Sequence, residues 1–137
     1  MKILVTGATG KVGQTFIRRF LDERSEGAIR AFCHNRMLEE SDRLEVIKGT
    51  ISNRQDVDRA LEGVSHVVHL ATCKETPDDV MDVTVKGLFW MLEGCRQSET
   101  FRQFILIGGD AAIGHFVYPH PIPVTEQQSH SPYQGFY

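Results

Sequence analysis

The chain has 137 residues, of which 41% are hydrophobic and 24% are charged, and its formal net charge is −3. This length and composition fit one soluble domain with a hydrophobic core of its own. The charge includes no basic block, which argues against nucleic-acid binding, and the longest apolar runs, such as residues 104–107, are too short to cross a bilayer. The sequence runs from Met1 directly into a strand pattern, so no signal peptide is expected.

The three cysteines are Cys33, Cys73 and Cys95, an odd number at wide spacing. They fit neither a disulfide framework nor a zinc site, and the spacing of the histidines matches no common metal motif. We therefore expect free thiols, a cytoplasmic location and no metal.

Short apolar strand patterns alternate with amphipathic helix patterns along the chain. Strands are predicted at residues 2–6, 28–33, 44–48, 66–70 and 104–107. Helices are predicted at residues 11–23, after a capping box at 52–55, and at 77–98. Val12 in the first of these helices and Leu92 in the last are expected on the buried faces.

Strands that alternate with helices imply right-handed βαβ crossovers and a parallel sheet. The strands read as continuous apolar runs, which is typical of a sheet covered on both faces. The predicted fold class is therefore α/β, a doubly wound Rossmann-type parallel sheet with helices on both faces and the strand order 3-2-1-4-5. From Gly108 onward the alternation of strand and helix patterns ends, and Gly, Pro and His become frequent. The fold is therefore expected to be truncated after strand five.

The segment TGATGKVG, from Thr6 to Gly13, lies between the first strand and the first helix. Gly7 permits a tight turn, Gly10 lets the backbone approach a pyrophosphate, and Gly13 lets the helix pack close to the strand. The helix N-terminus then offers N–H groups and a partial positive charge to the anion. The predicted phosphate-binding residues are Gly7, Thr9, Gly10, Lys11, Val12 and Gly13.

The GxxGxxG spacing of this segment resembles the short-chain dehydrogenase/reductase superfamily. Later segments resemble its extended branch, the NAD-dependent epimerase/dehydratase family. Residues 67–71 (VVHLA) are similar to the "VIHLA" signature of the fourth strand, and Thr50-Ile51 stands where the family usually has Asp-Leu. The resemblance implies that Thr50, Ile51, Leu70, Ala71 and Thr72 contact the coenzyme. It also implies hydride transfer between a nicotinamide and a small substrate, often a nucleotide sugar.

The second strand ends in Cys33-His34-Asn35-Arg36, without the carboxylate that would bind a ribose 2′-hydroxyl and favour NAD. Arg36, together with Arg30 or His34, could instead bind a 2′-phosphate. The alternative is that Arg36 is a solvated surface charge. The sequence thus leaves NAD or NADP open with a slight preference for NADP, and Thr50 removes an expected acceptor for adenine.

The catalytic residues implied by the resemblance are a Ser or Thr after the fifth strand and a Tyr-x-x-x-Lys pair, in which the lysine lowers the tyrosine pKa. Asp110 falls at the Ser position, either with different chemistry or as a structural cap on a loop. Tyr133 is the catalytic tyrosine if Tyr137 occupies the lysine position. We favour Tyr137 as the catalytic tyrosine, with its lysine beyond residue 137. A third possibility is that both tyrosines only pack against the edge of the domain.

Residues 1–137 are therefore expected to form the NAD(P)-binding Rossmann domain of a larger oxidoreductase or epimerase-type enzyme, without its substrate lobe and inactive alone. The alternative is a non-catalytic NAD(P)-binding regulatory or redox-sensing module, which the Asp110 departure favours. The expected partners are the dinucleotide, a small-molecule substrate and a second copy in a homodimer. No nucleic-acid or membrane partner is expected.

Overall fold

The computed structural model describes residues 1–73, 76–109, 123 and 125–127. The chain divides into two compact units, Met1–Leu106 and Ile107–Tyr137, and the fold below is that of the first unit. The predictions for Asp110, Tyr133 and Tyr137 lie outside the described residues.

Within the described residues, five parallel strands form one sheet in the order β3-β2-β1-β4-β5, as the sequence predicted. The strands are β1 Lys2–Thr6, β2 Ala28–Cys33, β3 Leu44–Lys48, β4 His66–His69 and β5 Gln103–Leu106. The first three match their predicted bounds, β4 ends one residue early, and β5 both starts and ends one residue early.

Helices cover both faces of the sheet, and the side chains of β1 alternate between them. Leu4 points into a cluster that also holds Val57 and Met91, from the helices α2 (Arg54–Leu61) and α4 (Leu88–Gln97). Ile3 and Val5 point into a second cluster under α1 (Lys11–Glu23). Because both faces are buried, the strand reads as one apolar run.

The predicted capping box at Ser52 is wrong by one residue. Asn53 is the N-cap of α2, and its side chain accepts a hydrogen bond from the Asp56 amide at 3.1 Å. The Ser52 hydroxyl instead bonds the Thr50 hydroxyl at 2.9 Å, so it is already engaged in the preceding turn.

The long helix predicted at residues 77–98 is three consecutive helical segments. A short helix, α3 (Pro77–Asp79), leads into eight residues of π-helix, Val80–Gly87, and then into α4. The overall span agrees with the prediction, but apolar periodicity does not distinguish the wider π turns from α turns.

Two residues predicted to be buried are exposed. Val12 is 64% exposed and Leu92 is 46% exposed. Val12 precedes the buried Gly13, and Leu92 follows the buried Met91. One position along a helix is a rotation of about 100° around its axis. This rotation places both side chains at the edge of the inward face.

Candidate nucleotide-binding site

The turn that follows β1 passes directly against the end of β4. Gly7 has a φ of +65°, and a Cβ atom there would lie 2.8 Å from the carbonyl carbon and oxygen of Leu70 and 2.9 Å from the amide nitrogen of Ala71. These are backbone atoms, which cannot rotate away. Only glycine fits both the conformation and the space.

The helix α1 packs on this turn as closely as its backbone allows. A Cβ atom on Gly13 would lie 2.4 Å from the Gly7 carbonyl oxygen. The Gly10 amide donates to the same oxygen at 3.0 Å, and Gly10 is the N-cap of α1. The tight turn predicted at Gly7 and the close helix packing predicted at Gly13 are both present.

The N-terminus of α1 is suited to an anion. The amides of residues 11–13 have no acceptor within the helix, because a helix leaves its first N–H groups unpaired. Gly10 provides no side-chain cap, and the first turn of α1 contains no acidic residue. The partial positive charge of this helix end is therefore not neutralised by α1 itself.

A cavity of about 520 Å³ lies at the carboxyl ends of the strands, beside this turn. It is lined by nine of the residues predicted to bind coenzyme, namely Gly7, Thr9, Gly10, Arg36, Thr50, Ile51, Leu70, Ala71 and Thr72. Gly13 is buried beneath the turn, and the side chains of Lys11 and Val12 lie along a separate groove on the outer side of α1. Neither residue is among those that line this cavity.

The cavity also includes residues that the sequence did not identify. Phe32, Cys73, Asp79 and Val83 all line it. Cys73 continues the Leu70–Thr72 segment and could have been included on that ground. Asp79 and Val83 come from the segment after β4, and no local motif marks them as site residues.

The second strand ends in three exposed side chains, His34, Asn35 and Arg36, that face this cavity. No carboxylate lies among them. The interpretation of Arg30 as a phosphate ligand is wrong, because Arg30 lies mid-strand and is only 7% exposed. Its Nη1 donates to the carbonyl oxygens of Ala60 at 2.9 Å and Glu62 at 2.8 Å, at the C-terminal end of α2.

Thr50 and Ile51 form the wall that follows β3. The Thr50 amide donates to Asp56 Oδ2 at 2.9 Å, and its hydroxyl bonds Ser52, so both groups are engaged in the local turn. Ile51 is 8% exposed, and Gly87 packs against it so closely that a Cβ there would lie 2.9 Å from Ile51 Cγ2.

A buried hydroxyl joins the ends of β1 and β4. Thr6 Oγ1 accepts hydrogen bonds from the amides of Leu70 at 3.2 Å and Ala71 at 3.1 Å, and lies 3.0 Å from His69 Nδ1. Two accepted bonds use the acceptor capacity of the hydroxyl, so its proton points to Nδ1 and the imidazole proton sits on Nε2. Burial lowers the pKa of His69 and favours this neutral form. These contacts give His69 a structural role at the ends of β1 and β4.

All three cysteines are free thiols, as predicted, and burial raises the pKa of Cys95 to about 11. In the described parts of the chain, no group of three or more His, Cys, Asp or Glu side chains is placed to hold a metal ion. None of the helices formed by the described residues has the length and apolar character needed to cross a membrane.

The strand order reverses between β1 and β4, and the glycine turn and the cavity both lie at that switch point. This arrangement defines a Rossmann-type nucleotide-binding fold. The model of the 3-beta hydroxysteroid dehydrogenase/isomerase family matches residues 4–134, and the chain belongs to that family. The predicted superfamily is thereby confirmed.

Three similar proteins are each longer than this chain. A bifunctional dihydroflavonol 4-reductase/flavanone 4-reductase of Malus domestica is 24% identical, over 94% of this chain and 40% of its own length. A short-chain dehydrogenase/reductase superfamily protein from Agrobacterium tumefaciens, solved with bound NAD, is 27% identical with a TM-score of 0.75, covering 97% of this chain and 40% of that one. The fold also matches dTDP-glucose 4,6-dehydratase from Bacillus anthracis in complex with NAD, at 19% identity and a TM-score of 0.79, over 99% of this chain and 45% of that one. The chain thus spans about two fifths of the length of these proteins.

Proposed function

We propose that this chain is the NAD(P)-binding Rossmann domain, residues 1–137, of an oxidoreductase or epimerase-type enzyme. The observation that carries the proposal is the turn at Gly7–Gly13, which has no room for a Cβ at either end and opens the α1 amides beside the cavity. A pyrophosphate is the ligand that such a helix end recognises.

The residues present fit a nicotinamide dinucleotide. The open amides of residues 11–13 would hold the pyrophosphate, and Gly10 adds no side chain in front of them. The wall at Ile51 offers apolar surface to a base. When bound, the coenzyme supplies a hydride donor or acceptor for a substrate carbon.

We further propose a preference for NADP over NAD, and Arg36 supports it. The Arg36 side chain is exposed and lines the cavity where a ribose 2′-phosphate would be bound. The neighbouring His34 and Asn35 add no negative charge there. Arg is suited to phosphate because its planar fork makes charge-assisted, bidentate hydrogen bonds. The solved relatives in complex with NAD make NAD the necessary comparison in any binding assay.

The substrate is proposed to be a small molecule, with sugar nucleotides as the first class to test. The names of the relatives support a range that also includes dihydroflavonols and hydroxysteroids. For proton transfer we retain Tyr137, with Tyr133 as the alternative. Asp110, an acceptor without a hydroxyl proton, favours the second candidate function, a non-catalytic NAD(P)-binding module.

A homodimer and a cytoplasmic location remain predictions. Support for the dimer comes from an exposed apolar stripe along the π segment and α4, formed by Met81, Val85, Phe89 and Leu92. Successive members are three or four residues apart, so they share one helix face. The free thiols suit a reducing compartment.

The test is a titration of the purified chain with NAD⁺, NADP⁺ and ADP-ribose. Binding is measured by calorimetry and by the change in melting temperature. Binding of any of them should raise the melting temperature in proportion to the logarithm of its concentration above Kd. The proposal fails if none binds at millimolar concentration. Assay of the protein encoded by the complete gene, with a panel of sugar nucleotides, hydroxysteroids and dihydroflavonols, then separates enzyme from binding module.

A further inference from the structure

Among its described lining residues, the cavity contains a single negatively charged acceptor for the base of a bound dinucleotide. Thr50 carries no charge, and its hydroxyl is already hydrogen-bonded to the Ser52 hydroxyl in the local turn. Among the described residues that line the cavity, Asp79 is the only carboxylate. It belongs to a different element from the strand ends that form most of the site.

The position of Asp79 follows from the helical segment that carries it. Asp79, Val83 and Gly87 are four residues apart and therefore share one helix face. Gly87 packs against Ile51, which fixes that face toward the wall after β3. Val83 and Asp79 both line the cavity, one and two helical steps before Gly87.

The carboxylate of Asp79 is held in place by its own helix cap. Thr76 Oγ1 donates to Asp79 Oδ2 at 2.7 Å, and the Asp79 amide donates back to Thr76 Oγ1 at 3.3 Å. An ionised carboxylate has about four acceptor sites on two oxygens, so Oδ1 retains capacity for a ligand. A fixed side chain of this kind loses little conformational freedom on binding.

This arrangement has the chemistry that an adenine ring requires. The flat ring would pack on the apolar side chains of Ile51 and Val83, and its exocyclic amino group donates two hydrogen bonds. We infer that Asp79 accepts a hydrogen bond from that amino group and makes the site selective for adenine over a purine with an oxygen at this position. The inference rests on the proposed function, since it concerns the same coenzyme site.

The test compares binding of NAD⁺ with binding of nicotinamide hypoxanthine dinucleotide, in which an oxygen replaces the amino group. Calorimetric titration of the unmodified chain should give at least tenfold tighter binding of the adenine form, because a charged acceptor would face an oxygen in the other. In Asp79→Asn the amide oxygen can keep the Thr76 bond and turn the NH₂ group to the base. The two dinucleotides should then bind with about equal affinity, or the hypoxanthine form should bind more tightly.

Asp78→Asn is the matched control, because Asp78 is also acidic and in the first turn of α3 but does not line the cavity. It removes the same charge and should leave the preference unchanged. Asp79→Ala is the second variant, and it should lose the preference, because it removes both the bond to the adenine amino group and the repulsion of the hypoxanthine oxygen. Equal preferences in the unmodified chain and both Asp79 variants would overturn the inference while leaving the proposed function standing. If the unmodified chain binds neither dinucleotide and does not bind NADP⁺ or ADP-ribose either, the proposed function itself fails.

Discussion

Gly7 and Gly63 offer a matched pair of glycines that separates backbone strain from close packing. Their φ values are nearly equal, +65° and +67°. A Cβ on Gly63 would have nothing within 4 Å, whereas one on Gly7 would lie 2.8 Å from the Leu70 carbonyl group. Replacing each by alanine therefore imposes the same conformational cost, and a collision only at Gly7.

The expected magnitudes follow from these two terms. A left-handed conformation costs an ordinary residue about 1–2 kcal/mol, which is all that Gly63→Ala should lose in free energy of unfolding. Gly7→Ala should lose about 1–3 kcal/mol more, because the turn and the end of β4 must move apart to admit the methyl group. The difference corresponds to roughly 4–12 °C in melting temperature for a domain of this size.

Urea unfolding followed by circular dichroism measures the stability difference, provided that both variants keep the same m-value. Titration with NADP⁺ supplies a second measurement, since Leu70 and Ala71 line the cavity that Gly7→Ala would distort. Gly63→Ala should bind as the unmodified chain does. If Gly7→Ala proves no less stable than Gly63→Ala and binds equally well, the turn does not approach β4 as described.

Three further predictions concern single side chains. Arg36→Ala should weaken NADP⁺ binding by roughly tenfold or more and leave NAD⁺ binding nearly unchanged, because only NADP⁺ carries the phosphate; an equal loss for both in calorimetry would contradict the NADP preference. Burial lowers the pKa of His69 below 6.5, so the unfolded chain takes up a proton first, and the free energy of unfolding should fall as the pH drops below that value. Urea titrations at several pH values should show this loss and its reduction in His69→Gln, and an unchanged slope would refute it. Phe89, 56% exposed, is central to the apolar stripe, so Phe89→Glu should convert a dimer to a monomer in sedimentation velocity, whereas a monomeric unmodified chain would rule the dimer out.

The sheet was predictable from the sequence because parallel strands covered on both faces leave uninterrupted apolar runs. The bounds of β1, β2 and β3 agree with the structure to the residue. The end of β4 was not predictable, since Leu70 is as apolar as Val67 and Val68 in the strand before it. Its amide donates to the Thr6 side chain, which takes it out of the ladder, and no local pattern encodes that bond.

The cavity was only partly predictable, for a related reason. The glycine turn and the residues after β3 and β4 are marked by motifs or by resemblance, and each lies where expected. Asp79 and Val83 enter the site because of how the π segment packs on Ile51. That contact depends on Gly87, several residues further along, and on tertiary geometry that a one-dimensional pattern does not contain.

Thr6 shows how the two walls of the site depend on each other. Its hydroxyl bonds the amides of Leu70 and Ala71, the same residues whose backbone excludes a Cβ at Gly7. The hydrogen bonds draw the end of β4 toward β1, and the glycine lets the turn occupy the narrow space that results. The Thr6 hydroxyl and Gly7 therefore act together. They set the distance between the α1 amides and the wall after β4. Any coenzyme held by both must match that distance.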